Sequence, residues 1–515
     1  MNKPIVWSIA GSDSGGGAGI QADLKTFEAF DVHGCTAVAA ITAQHSAAVE
    51  RIEAVSPAML DAQLAALAAD MPPAAIKTGL LGSADNLRVV AQWVDRLRAA
   101  QPGIPLVVDP VLRATTGATF ADDAVLQAYR DELLPRATLV TPNRREAELL
   151  LGQPGIATER AAQALVEAGA RAAVVTGGDD GGTTAADHAH TPQAGGRLEL
   201  PRIDTPHHHG TGCVFASSAA AALALGFAEA EAVVLAKMCT AGALRNGYAA
   251  GRGAGPVRPM AGFASRLDHL PAWGSAATEA FAPLAQPDLR LYAIVDSADW
   301  LERVLAAGVR TVQLRIKDRA HPALSLEISR SVQAARAAGA QLFINDHWAL
   351  AIEHGAYGVH LGQEDLATAD LGALRAAGLR LGISTHAYWE VCRAWALRPS
   401  YIACGPIHAT LLKRMPWTPQ GDDNLAHWCA LLQPGTPVVA IGGMDEQRTQ
   451  EAARCGAAGV AVVSAITGAA SPEAAVASLQ AAVMTGRSLP ARAAPALARP
   501  TLPRRHHDDN NARSG

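Results

Sequence analysis

The first half of the chain alternates short apolar runs with longer stretches that repeat apolar residues at helical spacing. The runs fall at 5–10, 36–42, 75–78, 106–108, 138–140 and 172–176, and the stretches between them are rich in Ala. Continuous apolar strands separated by amphipathic helices predict a largely parallel sheet covered by helices on both faces. Over 267–287 the periodicity fades into Ala282-Pro-Leu-Ala-Gln-Pro287, which predicts a linker. The alternation then restarts and reaches eight strands: 290–295, 311–316, 341–344, 358–361, 380–384, 401–404, 437–441 and 459–463. Eight strand–helix units in about 200 residues predict a (β/α)8 TIM barrel, small for that fold. The expected division is therefore 1–266, a linker, 288–487, and a Pro-, Ala- and Arg-rich tail over 488–515 that reads as disordered.

Composition narrows the class. A chain of 515 residues is too long for one core. With 49% hydrophobic and 18% charged residues it reads as soluble and globular. The net charge of −5 argues against a nucleic-acid partner. Seven cysteines without a C-x-x-C pair fit a reducing cytoplasm, not a disulfide framework or a structural zinc site. The apolar start meets Asp13 too soon for a signal peptide, and the apolar stretch 214–228 is too short to span a bilayer. A cytoplasmic protein acting on small molecules is expected, with a homo-oligomer left open.

Two glycine loops carry the candidate chemistry of the first half. Gly11-Ser-Asp-Ser-Gly-Gly-Gly-Ala-Gly19 follows the first strand. It lacks the Lys of a P-loop. Its loose dinucleotide pattern is not backed by an acid at the end of the next strand, which closes on Ala43-Gln44-His45. His207-His-His-Gly-Thr-Gly-Cys213 opens an apolar helix. Gly210 and Gly212 permit close backbone approach, and the first-turn amides with the helix dipole make an anion site. A thiol there, Cys213, is expected to have a lowered pKa; the alternative is a tight turn with a buried Cys. Asp109, Asn143 and Thr176 close further strands, where open α/β sheets bind ligands. Asn143-x-x-Glu146 fits both a capping box and a magnesium–phosphate arrangement.

These segments occur in one order: Ala10-Gly-Ser-Asp13, Gly16 to Phe27, Thr42-Ala-Gln44, Ile76-Lys-Thr-Gly79, Asp109-Pro-Val111, Thr141-Pro-Asn143-x-x-Glu146 and His209-Gly-Thr-Gly-Cys213. The set resembles hydroxymethylpyrimidine/phosphomethylpyrimidine kinase over 1–266. The resemblance implies a ribokinase-like three-layer α/β/α domain using ATP and magnesium. It implies that Gln44 binds the pyrimidine, that Gly11 and Asp23 border the same pocket, and that Cys213 stands beside the attacking oxygen. Asn143, Glu146, Thr176, Gly210 and Gly212 would serve ATP phosphate and its metal. Leu80 replaces a Met common in the family. Of the three histidines 207–209 only His209 matches.

In the second half, polar residues follow nearly every strand, as a barrel's C-terminal face requires. They are Gln313-Leu-Arg-Ile-Lys317, Asn345-Asp346, Gly362-Gln-Glu-Asp365, Ser384-Thr-His386, Lys413, Gly442-Gly443 and Ser464. Arg315, Lys317 and Lys413 suit a polyanion, and Asp346 and Asp365 are hard oxygen ligands for magnesium. The set resembles thiamine phosphate synthase over 288–487. The resemblance implies that Gln313, Leu314, Arg315, Ile316, Lys317, Asn345, Ser384 and Lys413 bind a pyrimidine diphosphate, with Lys413 at the reacting centre. Asp346 and Asp365 would hold magnesium. Thr410, Leu411, Leu412, Gly442, Gly443, Val463 and Ser464 would hold a thiazole phosphate. Ala409-Thr-Leu-Leu-Lys413 departs from the family's Pro-Thr-x-Thr-Lys. The two halves together imply a bifunctional enzyme of thiamine biosynthesis. One rival makes the first half a pyridoxal- or sugar-type kinase, against which Gln44 and Cys213 stand. The other leaves the barrel binding pyrimidine diphosphate without coupling it.

Overall fold

The computed structural model describes residues 3–112, 122–178, 181–410, 416–433 and 435–502. Two units separate, one running to Ser275 and the other spanning Ala276–Leu502.

In the first unit the opening apolar run continues through Gly-Ser-Asp as strand β1 (Ile5–Asp13). On one side it pairs with β2 (His33–His45), which turns back into β3 (Ala48–Ala54). On the other side stand β4 (Ala75–Thr78), β5 (Leu106–Val108), β6 (Leu139–Val140) and β7 (Ala173–Val175), all parallel to β1. Then β8 (Thr184–His190), β9 (Gly195–Pro201) and β10 (Ala272–Trp273) extend the sheet antiparallel to ten strands. The chain leaves β1 for one side and returns at β4 on the other. That switch opens a crevice beyond the end of β1. The parallel strands were legible because burial on both faces makes them continuous apolar runs. β8 was not, since Thr-Ala-Ala-Asp-His-Ala-His is half-buried and polar. Helix Thr211–Ala224 is buried from Val214 onward, as its apolar residues on every face require.

The second unit is a closed barrel of eight parallel strands. They are β11 (Arg290–Val295), β12 (Thr311–Leu314), β13 (Gln341–Asn345), β14 (Gly358–Leu361), β15 (Arg380–Thr385), β16 (Tyr401–Cys404), β17 (Val438–Ile441) and β18 (Gly459–Val462). Tyr292, Ile294, Phe343, Tyr401 and Val439 fill its interior. Gly382 makes room for the Tyr401 ring, which any Cβ at 382 would overlap.

Two expected irregular segments are built into the units. Within 267–287, β10 belongs to the sheet. Beyond it, the Ala277 amide donates to the Ala396 carbonyl at 2.8 Å and Phe281 to Arg398 at 3.0 Å on the barrel. The tail expected to be disordered from 488 is laid along the barrel as far as Leu502. His427 Nδ1 lies 2.9 Å from the Pro495 carbonyl, the Ala498 amide donates to Tyr388 Oη at 3.1 Å, and Arg499 donates to Asn424 Oδ1 at 2.7 Å. Low periodicity hid this because both segments bury isolated apolar residues, Phe281 and Ala498, rather than a regular face. Residues 503–515 lie outside the described residues. Among the described residues no helix is long and apolar enough to cross a membrane.

Candidate active sites

The crevice beyond β1 is shaped by Asp13. Its carboxylate accepts from the amides of Gly15 (2.8 Å), Gly17 (3.0 Å) and Ala18 (2.8 Å), folding the first glycine loop around it. His209 Nε2 stands 3.1 Å from the same carboxylate and 3.3 Å from Gln44 Nε2. Burial works against the charge on Asp13, but His209 and the loop amides outweigh it and hold the carboxyl below its usual range. Asp13 thereby ties the loop after β1 to the loop before helix Thr211–Ala224. The two loops touch at glycines: a side chain at Gly210 (φ +89°) would overlap the Gly17 carbonyl. A cavity of about 320 Å³ opens here, lined among others by Asp13, Ser46, His209 and Arg252. Gly11 lies against Leu80, whose Cδ2 would be 3.2 Å from a Cβ at 11.

Below this surface lies a buried charge cluster. Lys77 Nζ donates to Asp23 at 2.9 and 3.0 Å and stands 3.7 Å from Asp109 Oδ2. Ser8 and Ser217 hydroxyls, each at 2.5 Å, complete the shell of Asp23. Asp23 is fully buried. Burial disfavours the Lys77 ammonium, yet Asp23, Cys213 and Asp109 outweigh it and keep the lysine charged. Asp109 is pushed up to about 6 by burial, against the pull of Lys77 and with the push of Asp23.

Cys213 stands in the first helical turn as expected, but its thiol is not acidified. Desolvation pushes it up to about 12; Lys77 and the Gly19 amide act the other way, and Asp109 and Asp23 add to the rise. The expected effect of the helix terminus is overridden by lost water and two carboxylates. Gly212 beside it is exposed, with nothing within 4 Å of where a Cβ would stand, so the helix terminus is open to a ligand.

Asn143 and Glu146 form the full capping box of helix Arg144–Leu151: Asn143 Oδ1 accepts from the Glu146 amide, and Glu146 Oε2 from the Asn143 amide, both at 3.0 Å. Glu146 Oε1 also takes the Leu112 amide at 3.4 Å. Thr176 bridges to Asn143 across adjacent strand ends. The structure thus brings these three together. Sequence reasoning missed Asp13 and Lys77 as site residues. Their signals were an acid between an apolar strand and three glycines, and a lysine inside a buried strand.

On the barrel, the described members of the expected set fall at or after the C-terminal ends of the strands. Gln313 and Asn345 are buried in strands, and Arg315 is half-buried past the end of β12. Asp346 adopts φ +61°, a strained conformation for a residue with a side chain. Its carboxyl is raised by burial and by Asp365, with which it shares a hydrogen bond, against the pull of Arg315. Asp365 Oδ1 also accepts from Arg319 at 2.9 Å. Two crowded carboxylates facing an arginine fit a divalent cation better than they fit each other.

Gly442 (φ +103°) and Gly443 (φ +67°) leave no room for a side chain against Pro406 and Ala409. The loop carrying Thr410 packs on them, with the Ile407 and His408 amides donating to the Ile441 and Gly442 carbonyls at 2.9 and 3.1 Å. Val463 precedes the short helix that starts at Ser464. Leu411, Leu412 and Lys413 lie outside the described residues. Ser384 accompanies His360, whose Nε2 is 2.8 Å from its hydroxyl. His360 was not anticipated, because a histidine in the run Gly358–Leu361 reads as core.

Comparison with known proteins follows the same division. The family profile for phosphomethylpyrimidine kinase matches residues 13–258, and that for thiamine monophosphate synthase matches 291–466. A probable chloroplastic thiamine biosynthetic bifunctional enzyme of Oryza sativa subsp. japonica is 34% identical over 489 residues, covering 90% of this chain and 86% of that one. The chain belongs to the bifunctional thiamine-biosynthetic enzymes. Each half also has single-function relatives. A hydroxymethylpyrimidine/phosphomethylpyrimidine kinase of Synechococcus elongatus is 43% identical over 261 residues, covering 50% of this chain and 97% of the relative. A thiamine-phosphate synthase of Neisseria meningitidis is 53% identical over 201 residues, covering 39% and 97%. The bifunctional enzyme thus joins a ribokinase-like kinase of the phosphorylated pyrimidine to a TIM-barrel thiamine-phosphate synthase.

Proposed function

We propose that the first unit uses ATP to convert the hydroxymethylpyrimidine and its phosphate to the diphosphate, and that the barrel couples this diphosphate to thiazole phosphate, releasing pyrophosphate. In the kinase, Gln44 and His209 border the pyrimidine, with Gly11 and Leu80 as its floor. The amides opening helix Thr211–Ala224 at Gly210 and Gly212 receive the transferring phosphoryl group. Asn143, Glu146 and Thr176 lie at the nucleotide side. Asp109, a carboxyl raised by burial and 3.7 Å from the Lys77 ammonium, takes the hydroxyl proton, whereas the Cys213 thiol is raised and stays protonated. Cys213 then positions the hydroxyl.

In the barrel, Gln313, Asn345 and Ser384 orient the pyrimidine diphosphate, and Arg315, Lys317 and Lys413 balance its charge. Asp346 and Asp365 would hold magnesium, which supplies charge stabilisation to departing pyrophosphate. Magnesium commonly keeps waters and phosphate oxygens as its other ligands, so one or two carboxylates suffice. Gly442, Gly443, Val463, Ser464 and the loop over 410–412 receive the thiazole phosphate. The observation that carries this reading is the Asp346–Asp365 carboxylate pair beside Arg315 at the mouth of the barrel. Pyrophosphate release from synthetic pyrimidine diphosphate, dependent on thiazole phosphate and magnesium, tests it. Binding without release would favour a barrel that only holds the diphosphate.

A further inference from the structure

Five side chains cross the interior of the barrel in one hydrogen-bonded file. Gln313 Nε2 donates to Tyr292 Oη at 3.2 Å, Tyr292 Oη is 2.9 Å from Tyr401 Oη, and Tyr401 Oη is 2.7 Å from His360 Nδ1. His360 Nε2 is 2.8 Å from the Ser384 hydroxyl. The two tyrosines and His360 are buried, whereas Ser384 at the far end is only half-buried.

Proton counting then gives the file a direction. The Gln313 amide nitrogen can only donate, so Tyr292 Oη accepts from it. If Tyr401 also donated to Tyr292, the Tyr292 proton would be left without a partner in a dry interior, a costly state. Tyr292 therefore donates to Tyr401, and Tyr401 donates to His360 Nδ1. The imidazole must carry its proton on Nε2 and donate it to Ser384 Oγ. The Ser384 hydroxyl, having accepted, keeps its own proton free. Turning the Gln313 amide over would reverse every bond and make Ser384 an acceptor.

We propose that this file is a one-way relay in which Gln313 fixes Ser384 as a hydrogen-bond donor to the pyrimidine diphosphate, with Tyr292, Tyr401 and His360 as positioning residues. The Ser384 proton is then directed at an acceptor of the ligand, a ring nitrogen or a phosphate oxygen. The inference rests on the pyrimidine diphosphate reading of this site.

The test uses the full chain labelled with 15N-histidine, with the His360 resonance identified by its loss in His360→Gln. The expected result is an imidazole protonated at Nε2 and unprotonated at Nδ1. Kinetics supply a second readout. Tyr401→Phe, with Tyr292→Phe as an independent break in case the first variant does not fold, should raise KM for the diphosphate about 3- to 10-fold. KM for thiazole phosphate and kinase turnover should stay unchanged. An Nδ1-protonated His360 overturns the direction, and unchanged KM in the tyrosine variants overturns the positioning role. Absence of synthesis by the unmodified chain would instead overturn the ligand assignment, independently of the tautomer.

Discussion

Gly210 rests on Gly17 with no space for a side chain between them. The contact sets the approach of the loop over 207–212 to the loop that wraps Asp13. Gly210→Ala would force a positive φ, at a cost of about 1–2 kcal/mol, and would also push the loops apart. A shift of about 1 Å at a reacting centre can cost 10²-fold. The expected outcome is a kinase rate down by roughly that factor with synthase activity intact, read by assaying the half-reactions separately.

The Asp109 carboxyl predicts a pH dependence. Its folded pKa of about 6 lies above the ordinary value of 3.8. The protonated form therefore favours the folded state: that stabilisation is full below about pH 4 and is lost as pH rises through 6. Two pKa units correspond to ~3 kcal/mol. Asp109→Asn should raise the melting temperature of the first unit at pH 8 and flatten its pH dependence between 4 and 7. Kinase turnover should fall by about 10²-fold or more, and what remains should lack the limb near pH 6. A melting profile identical to that of the unmodified chain would contradict the buried-carboxyl account.

The strand ends were legible and the cluster beneath them was not. Runs 290–295 and 358–361 coincide with β11 and β14 because fully buried parallel strands leave continuous apolar stretches. Asp23 gave no such signal. In a helix an acid normally faces solvent, and its partner Lys77 is 54 residues away. The raised pKa of Cys213 follows first from burial and then from Asp109 and Asp23, against the pull of Lys77, so the local rule for helix termini failed there. The relay was hidden because tyrosines in strands read as packing, and only closure of the barrel brings Tyr292 and Tyr401 together.

For the carboxylate pair, removing one charge should help the fold and end the chemistry. Asp346 is raised by burial and Asp365, so without magnesium Asp346→Asn should stabilise the barrel at neutral pH. Magnesium should then raise the melting temperature of the unmodified protein by mass action and leave the variant nearly unmoved. Synthase activity should fall by at least about 10²-fold with the kinase unaffected. A variant that synthesises normally would remove magnesium from this site.

The segment after Ser488 is expected to support the barrel. Truncation there removes the hydrogen bonds to Tyr388, His427 and Asn424 together with the buried residues Ala498 and Thr501. Loss of these bonds and of the buried contacts of the segment predicts a lower denaturant midpoint for the truncated barrel. Denaturant melts of the truncated and full chains compare this directly. Equal midpoints would show the strap to be dispensable.

The central claim is that one chain carries the pyrimidine from its alcohol to thiamine phosphate. The most direct measurement supplies the full chain with hydroxymethylpyrimidine, ATP, magnesium and thiazole phosphate and follows thiamine phosphate. Product should form with the unmodified chain. Its rate should fall about 10²-fold with Gly210→Ala, recovering when pyrimidine diphosphate is added, and fall by at least about 10²-fold with Asp346→Asn whether or not diphosphate is added. Consumption of ATP with accumulation of diphosphate and no thiamine phosphate from the unmodified chain would contradict the account.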